Sequence, residues 1–217
     1  MKFYPSNLDV EEKSCVIVGG GEVALRKIQG LLAAGAVVKV IAPEVSAGVE
    51  ELFRRGEISL TRENFSAELL GDEVILIAAT NNPEVNRQVS EVARSKKILV
   101  NAVDGGGNFN VPSTIRRGEL LLTISTGANS PAFAKFVREM LELELGENFG
   151  AGLKIISSWR LKVKKFLPNP QARKIFWRKI LTQETWQLLK HGQLNELEDK
   201  INHALESFGI ESQDGSY

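Results

Sequence analysis

An apolar segment that runs directly into three glycines constrains this chain more than any other feature. Residues 15–18 are apolar, residues 19–21 are all glycine, and apolar and charged side chains then alternate as far as Leu32. Consecutive glycines cost backbone entropy, so a chain keeps them where a turn is very tight or where another group must approach the main chain. The segment therefore predicts a strand, a tight turn and a helix.

The same alternation of short apolar and longer amphipathic segments continues through the first hundred residues. The predicted strands cover residues 14–18, 37–42, 58–62, 73–80 and 98–101. The predicted helices cover residues 23–34, 46–55 (capped by Ser46) and 83–96. Strands separated by helices of 10–15 residues are typical of βαβ units. We therefore predict an α/β protein with a Rossmann-type, doubly wound parallel sheet.

The pattern changes beyond residue 112. Residues 113–117 and 119–125 predict a hairpin that turns at Gly118, and Ser130 followed by Pro131 predicts a helix start. The amphipathic hairpin would leave apolar surface exposed unless a second chain covered it. We expect a Rossmann-type domain over residues 1–112, a dimerisation element over residues 113–150 and a helical domain over residues 151–217.

Charge is unevenly distributed, although the 27 basic and 27 acidic residues balance. Residues 151–190 contain ten Lys or Arg and one acid, Glu184. Such a segment is either a solvated helix face or a surface for a polyanion. Its aromatic residues recur at helical spacings, which favour a core over a platform for stacked bases, so no nucleic-acid partner is expected. These aromatic residues include Trp159, Phe166, Phe176 and Trp177.

Cysteine and histidine are too rare to form an obvious metal site. Cys15 is the single cysteine and lies in an apolar run, so we expect it to be buried and inert. His191 and His203 lie twelve residues apart across a predicted loop, match no metal motif and are expected at the surface. No apolar run reaches membrane-spanning length and no signal core is present. We expect a cytoplasmic protein with no resident metal and no membrane partner.

The glycine turn matches a known binding pattern. Gly19, Gly21 and Ala24 form G-x-G-x-x-A between a predicted strand and a predicted helix, which is the dinucleotide-binding fingerprint. In that pattern Gly19 permits the tight turn, Gly21 lets a pyrophosphate approach the backbone, and Ala24 lets the helix pack on the strand. The alternative is a purely structural glycine turn.

The end of the second strand departs from the common pattern. An acid there normally binds the ribose hydroxyls of the adenosine. This chain has Ala42 and Pro43, with Glu44 one step beyond. Either Glu44 or the backbone serves the ribose, or Glu44 caps the next helix. Because residues 41–47 contain no Lys or Arg to bind a 2′-phosphate, NAD is favoured over NADP.

Polar residues also follow the other strands at the same edge of the predicted sheet. Thr80 and Asn81 follow the fourth strand and are expected to contact the cofactor, whereas Asn82 is expected to cap a helix. Asp104 follows the fifth strand and precedes three glycines. We interpret it as an acid at the mouth of the crevice, on a flexible loop. Formation of an Asp-Gly turn is the alternative.

Four segments carry a resemblance to a known family. "CVIVGGGEVALRK", "AATNNPEVN", "VNAVD" and "PSTIRRGELLLTISTGANSPAFAK" occur in this order. They resemble the precorrin-2 dehydrogenase family, the NAD-dependent dehydrogenase and ferrochelatase of siroheme synthesis, over essentially the whole chain. Longer members carry a fused methyltransferase domain, which this chain is expected to lack.

The resemblance implies a reaction and its residues. NAD⁺ would accept a hydride from precorrin-2 to give sirohydrochlorin, in an intertwined homodimer, and some members then insert Fe²⁺. Asp104 matches the essential aspartate of the family, its proposed general base. Glu22 and Val23, and also Pro43 and Glu44, match positions that contact NAD.

The substrate residues rest on the resemblance and on charge. Thr126 matches a position where some members have a serine at the tetrapyrrole site. Arg116 and Arg117, at the predicted hairpin tip, are candidates for binding carboxylates, with simple solvent exposure as the alternative. A tetrapyrrole with eight carboxylates is a polyanion, which the basic residues 154–190 would attract.

A non-enzymatic NAD-sensing module is the alternative function. Such modules usually carry an acid squarely at the end of the second strand, where this chain has Ala42. They also give no reason for the hairpin or for the basic helical segment. The sequence therefore favours the dehydrogenase.

Overall fold

A computed structural model describes residues 3–208 and divides the chain into two compact units, with the boundary between Val111 and Pro112. Unit 1 contains a five-stranded sheet whose paired strands are all parallel. Its strands are β1 (Ser14–Val18), β2 (Val37–Ile41), β3 (Ile58–Thr61), β4 (Ile75–Ala78) and β5 (Leu99–Ala102). Its helices are α1 (Glu22–Leu32), α2 (Ala47–Arg54) and α3 (Pro83–Ser95), with a 3₁₀ turn at Ala67–Leu69.

The spatial order of the strands is β3-β2-β1-β4-β5. Successive strands are added outwards from β1 on one side and from β4 on the other, so the direction of winding reverses between these two neighbours. In open α/β sheets, ligands bind outside the carboxyl ends of the strands at such a reversal. The predicted α/β, Rossmann-type fold is confirmed, and the reversal positions the candidate site.

Both faces of the sheet are covered by helices, which explains why its strands are almost continuously apolar. Ile17 and Val40 pack in one buried cluster together with side chains of α1 and α2. Val16 and Leu76 pack in another, together with side chains of α3. Cys15 is fully buried in β1, and this burial raises the pKa of its thiol to about 11. The thiol therefore stays protonated and unreactive at neutral pH, as expected.

Two local expectations in unit 1 are wrong. The fourth strand is limited to Ile75–Ala78: the Val74 and Ala79 N–H groups still donate to β1 carbonyls, and the polar residues beyond them make local side-chain hydrogen bonds. On one side the Glu73 carboxylate accepts a hydrogen bond from the Gly71 N–H at 2.7 Å, and on the other Asn86 binds the main chain of Thr80. Ser46 stands at the N-cap of α2, but its buried hydroxyl has no hydrogen-bond partner among the described residues.

Unit 2 begins with an antiparallel hairpin of β6 (Ser113–Arg117) and β7 (Leu120–Ile124). Gly118 turns the hairpin with φ +55°, as predicted. The Ser130 hydroxyl accepts a hydrogen bond from the Phe133 N–H at 3.2 Å, so the predicted cap is confirmed. The helices of unit 2 are α4 (Pro131–Glu144), α5 (Asn148–Phe166), α6 (Pro170–Ile180), α7 (Gln183–His191) and α8 (Leu194–Glu206).

The hairpin and the helices of unit 2 share one apolar core. Phe176 is fully buried there, and Trp159 and Trp177 pack against the same cluster, as their spacing predicted. Phe166 is the exception, with 46% of its surface exposed. Leu120 and other side chains of the hairpin contact this core as well. The division of this region into a dimerisation element and a separate helical domain stays a prediction.

Most charged side chains of unit 2 lie at its surface. Nine of the ten basic residues in positions 151–190 are exposed, and Arg173 is half-buried. His191 and His203 are exposed, as expected, and a short loop at residues 192–193 separates them: His191 ends α7 and His203 lies within α8. Between residues 3 and 208, the chain has no helix with the length and apolar character needed to span a membrane.

Candidate functional site

The three glycines of the first turn have three different surroundings. Gly19 has φ +120°, and a Cβ there would lie 2.3 Å from the Ala79 carbonyl oxygen, so the end of β1 packs directly on the end of β4. A Cβ on Gly20 would lie 2.4 Å from the Glu44 carbonyl oxygen. A Cβ on Gly21 would meet none of the described atoms within 4 Å. Gly19 and Gly20 therefore allow close packing within the protein, whereas Gly21 faces open space.

Gly21 is also the N-cap of α1. Glycine has no side chain to cap the first turn, so the N–H groups there remain available to an acceptor. These groups and the helix dipole together favour an anion. Glu22 and Val23 are exposed in that turn, whereas Ala24 is fully buried against the sheet. The start of α1 therefore suits a phosphate group.

A cleft of 490 Å³ lies at the carboxyl edge of β1, β2 and β4. Four of the predicted cofactor residues line it, namely Gly19, Pro43, Thr80 and Asn81. Four further lining residues were missed by sequence reasoning, namely Asn64, Phe65, Val85 and Gln88. No local pattern marks these four, because they come from the segment after β3 and from α3. They give the cleft apolar side chains together with two amides, a combination that suits a flat, polar-edged ring.

A buried asparagine fixes the wall of the cleft at the end of β4. The Asn86 Oδ1 accepts hydrogen bonds from the Thr80 N–H at 3.1 Å and from the Thr80 hydroxyl at 2.8 Å, and its Nδ2 donates to the Thr80 carbonyl at 3.1 Å. Asn86 is 2% exposed. The polar groups of Thr80 are therefore engaged within the chain. Sequence reasoning missed Asn86, although a polar residue on the apolar face of α3 was a usable signal.

The structure shows which of two polar residues near the cleft, Asn82 and Glu44, caps a helix. The Asn82 Oδ1 accepts a hydrogen bond from the Glu84 N–H at 3.0 Å, so Asn82 caps α3 as expected. Glu44 does not cap α2, because that helix has Ser46 at its N-cap. The Glu44 side chain is exposed at the end of β2, next to Pro43 of the cleft wall. From this position Glu44 remains a candidate for binding the ribose hydroxyls.

Asp104 lies at the same edge of the sheet, two residues beyond the end of β5. Its side chain is exposed, and its Oδ1 accepts a hydrogen bond from the Gly106 N–H at 3.4 Å. Gly105, between them, has φ +93°. The Asp-Gly turn considered from the sequence is therefore present, and it leaves the carboxylate facing solvent.

The residues after Asp104 fold back along β5, and the expected flexibility of the Asp104 loop stays a prediction. The Asn108 Oδ1 accepts a hydrogen bond from the Val100 N–H at 2.8 Å. A Cβ on Gly107 would lie 2.4 Å from the Val100 carbonyl oxygen. The Arg94 guanidinium donates to the Gly106 carbonyl. Asn108 thus engages the Val100 N–H with its side chain and the Val100 carbonyl with its own N–H, at the outer edge of β5 where these groups would otherwise be unpaired.

The two arginines of the hairpin differ. The Arg117 Nε donates to the Leu145 carbonyl at 2.7 Å and lies 3.4 Å from the Glu147 carboxylate, and the side chain is 16% exposed. The alternative of simple solvent exposure does not hold for Arg117, which ties β6 to the end of α4. Arg116 is exposed. Of the two, Arg116 is better placed to meet a ligand.

Thr126 organises the turn that precedes α4. Its hydroxyl donates to the Ser130 carbonyl and accepts from the Ser130 N–H, both at 3.1 Å. The Asn129 Nδ2 donates to the Thr126 carbonyl at 2.9 Å. The hydroxyl is thus already engaged, and a serine at this position would offer the same two hydrogen bonds.

Comparisons with known proteins find residues in each unit that match a described family. The family described as "Putative NAD(P)-binding" matches residues 7–113, and the family described as "Sirohaem synthase dimerisation region" matches residues 149–205. A siroheme synthase from Photorhabdus laumondii is 33% identical over 215 residues, which is 98% of this chain and 46% of that protein. One from Nitrosospira multiformis is 37% identical over 187 residues, 83% of this chain and 40% of that protein.

A solved structure of "SirC, precorrin-2 dehydrogenase" matches with a TM-score of 0.73 and 26% identity, and the match covers 94% of this chain and all of that one. The chain spans about half the length of the curated relatives it matches. The resemblance stated from the sequence motifs is confirmed.

Proposed function

We propose that this chain, which resembles the precorrin-2 dehydrogenase family and siroheme synthases over nearly its whole length, oxidises precorrin-2 to sirohydrochlorin with NAD⁺. One observation carries the proposal: the open glycine, Gly21, begins α1 at the edge of the sheet where the strand order reverses, next to a cleft. That is the position at which Rossmann-type folds bind a dinucleotide.

The residues of unit 1 fit NAD. The pyrophosphate would lie against Gly21 and the first turn of α1, where Glu22 and Val23 flank it. Glu44 would accept hydrogen bonds from the ribose. Bound NAD⁺ supplies the acceptor for the hydride that leaves the macrocycle.

The wall of the cleft would be formed by residues already fixed in place. Pro43 and the Thr80–Asn81 segment line it, and the buried Asn86 keeps Thr80 in one conformation. A preformed wall needs no ordering when the dinucleotide binds, which favours affinity. Thr80 would then contribute contact surface rather than a free hydrogen-bonding group.

Asp104 is proposed as the general base. The oxidation removes a hydride and a proton from the reduced macrocycle, and a carboxylate near the reacting carbon would take the proton. The exposed carboxylate of Asp104 has acceptor capacity beyond its contact with Gly106. General-base catalysis typically contributes ~10²–10⁴-fold to a rate.

The substrate is proposed to be held through its carboxylates. Arg116 and the exposed cations of α5 and α6 supply the positive charge that a polyanionic tetrapyrrole requires. Thr126 would act through the shape of its turn, since its hydroxyl is engaged with Ser130. Arg117 would act indirectly, because it anchors the hairpin to α4.

The working form is proposed to be a homodimer. Four large apolar side chains of α4 are exposed at spacings of three, four and three residues, which place them on one side of the helix. They are Phe133, Phe136, Met140 and Leu143, with exposed fractions of 58%, 53%, 45% and 75%. A contiguous apolar stripe of this kind favours burial against another protein surface. The match to a sirohaem synthase dimerisation region begins at residue 149, after α4, so it supports a second copy of this chain as the partner without assigning α4 to the contact.

Fe²⁺ insertion into sirohydrochlorin, a cytoplasmic location and the absence of nucleic-acid and membrane partners stay predictions from the sequence. Chelation differs from oxidation in needing the metal as a substrate, so one experiment separates the two activities. Purified protein is incubated with NAD⁺ and enzymatically made precorrin-2, and the absorbance of the macrocycle is followed first without metal and then with Fe²⁺ or Co²⁺.

NAD⁺-dependent formation of sirohydrochlorin without metal is the expected result. A protein that binds NAD⁺ and leaves precorrin-2 unchanged would instead be the non-enzymatic NAD-sensing module. A protein that does not bind NAD⁺ would contradict both functions.

A further inference from the structure

An arginine lies beside the end of β2, where the sequence offered no cation. β2 and β3 pair in parallel with Ile41 opposite Thr61, and the Ala42 N–H donates to the Thr61 carbonyl at 3.1 Å. Arg62 follows Thr61 directly. The strand pairing therefore brings Arg62 next to Ala42, although twenty residues of chain separate them.

This end of β2 is part of the cleft. Ala42 and Pro43, which directly follow β2, line it, and Asn64 and Phe65 line it from the segment that Arg62 begins. In Rossmann-type folds the adenosine ribose is bound at the end of the second strand, and an arginine nearby accommodates the 2′-phosphate of NADP. Arg62 thus stands within the neighbourhood that distinguishes the two dinucleotides.

Arg62 is held by an acid of α2. Its Nη2 lies 2.5 Å from Oε2 of Glu50, and the two side chains are 49% and 29% exposed. A guanidinium binds phosphate best when both arms of its planar fork are available. The Glu50 carboxylate occupies one arm and adds a negative charge that repels a phosphate.

We infer that Glu50, by pairing with Arg62, determines the preference of this site for NAD over NADP. The inference rests on the proposed dinucleotide function of the cleft. Arg62 could then bind a 2′-phosphate if it were released, and its ion pair with Glu50 keeps it from doing so.

The test replaces Glu50 with glutamine, which keeps the size of the side chain and removes its charge. Dissociation constants for NAD⁺ and NADP⁺ are measured by calorimetry on the full chain. We expect the ratio of the NADP⁺ constant to the NAD⁺ constant to fall about tenfold, since one charge-assisted pair with phosphate replaces the pair with Glu50. The NAD⁺ constant should change less than about twofold, because NAD carries no 2′-phosphate.

The next residue of the same helix supplies a matched control. Glu51 pairs with Arg54 at 3.0 Å, and Glu51→Gln changes the net charge by the same amount one position away. This variant should keep the wild-type ratio. The double variant Glu50→Gln with Arg62→Met should also return the ratio to the wild-type value, because the released cation is then absent.

Three results would overturn the inference: an unchanged ratio in folded Glu50→Gln protein, an equal fall in Glu51→Gln protein, or a wild-type protein that already prefers NADP⁺. Failure of the proposed function is seen separately. If the wild-type chain binds neither NAD⁺ nor NADP⁺, the cleft is not a dinucleotide site, and the inference about Glu50 is then wrong as well.

Discussion

Replacement of Gly21 by valine is expected to abolish tight NAD binding while the fold survives. Gly21 is in extended backbone, with φ −84° and ψ −172°, a conformation that valine adopts readily. An added Cβ would meet none of the described atoms within 4 Å. The substitution therefore introduces neither a clash nor backbone strain in the protein itself.

The expected change in stability is correspondingly small. Replacing glycine stabilises a compatible site by about 0.4–1 kcal/mol, because the unfolded chain loses conformational freedom. Valine is a poorer N-cap than glycine, which offsets this gain by a comparable amount. The free energy of unfolding should stay within about 1 kcal/mol of the wild-type value.

The expected effect on binding is much larger. A valine side chain would occupy the space through which the pyrophosphate approaches the first-turn N–H groups of α1. A hydrogen bond to a charged group contributes about 1.5–3 kcal/mol. Loss of one or two of these bonds, about 1.5–6 kcal/mol, corresponds to a dissociation constant roughly 10-fold to 10⁴-fold higher.

Calorimetric titration with NAD⁺ measures this change, and chemical denaturation measures stability in parallel. Gly30 offers a matched control, because it is an exposed glycine of the same helix whose Cβ would also meet no described atom within 4 Å. Gly30→Val should leave NAD affinity at the wild-type value. Unchanged affinity in a folded Gly21→Val protein would refute the assignment of this turn to the pyrophosphate.

Four further predictions concern three residues. Asp104→Asn should lower precorrin-2 turnover at least ~100-fold while NAD affinity stays constant, because asparagine keeps the turn but cannot take the proton. Near-normal turnover would mean that Asp104 only forms the turn and is not the general base. Asn86→Leu should lower the free energy of unfolding by about 2–4 kcal/mol in urea, because it leaves the Thr80 N–H and carbonyl unsatisfied; a loss below ~1 kcal/mol would contradict that role. Cys15 should react with Ellman's reagent at pH 8 at least ~1000-fold more slowly in the native than in the unfolded protein. Burial raises the pKa of this thiol to about 11, whereas in the unfolded chain it ionises near pH ~9. The free energy of unfolding should therefore be constant with respect to this group below pH ~9 and fall by roughly 2 kcal/mol as the pH rises to ~11. An unchanged free energy of unfolding over that range would argue against burial of the thiol.

The order of elements could be predicted from the sequence because its signals are local. The apolar run and glycines at residues 15–21, the Asn82–Pro83 and Ser130–Pro131 starts of α3 and α4, and the Gly118 turn each act within a few residues of chain. The alternation of a strand, a helix cap or a residue with positive φ can be recognised from neighbouring residues alone. Strand boundaries were less secure, because Glu73 and Thr80, at the two ends of the predicted fourth strand, make local side-chain hydrogen bonds.

The candidate site was predicted in part for the same reason. Gly19, Gly21 and Thr80 follow strands, and the carboxyl ends of parallel strands must meet at one edge of the sheet. The cleft residues Phe65 and Gln88 come from elements whose approach to that edge depends on the packed fold. No pattern of neighbouring residues marks them.

By itself the sequence determined the α/β class, the glycine turn and the edge of the sheet that carries the site. Only the tertiary structure decided that Gly20 packs against Glu44, that Arg117 is anchored to Leu145, and that Arg62 stands at the end of β2 in a pair with Glu50. Periodicity, caps and turns are properties of consecutive residues, whereas these contacts join residues far apart in the chain. They form only when the packing of whole strands and helices has set the distances between them.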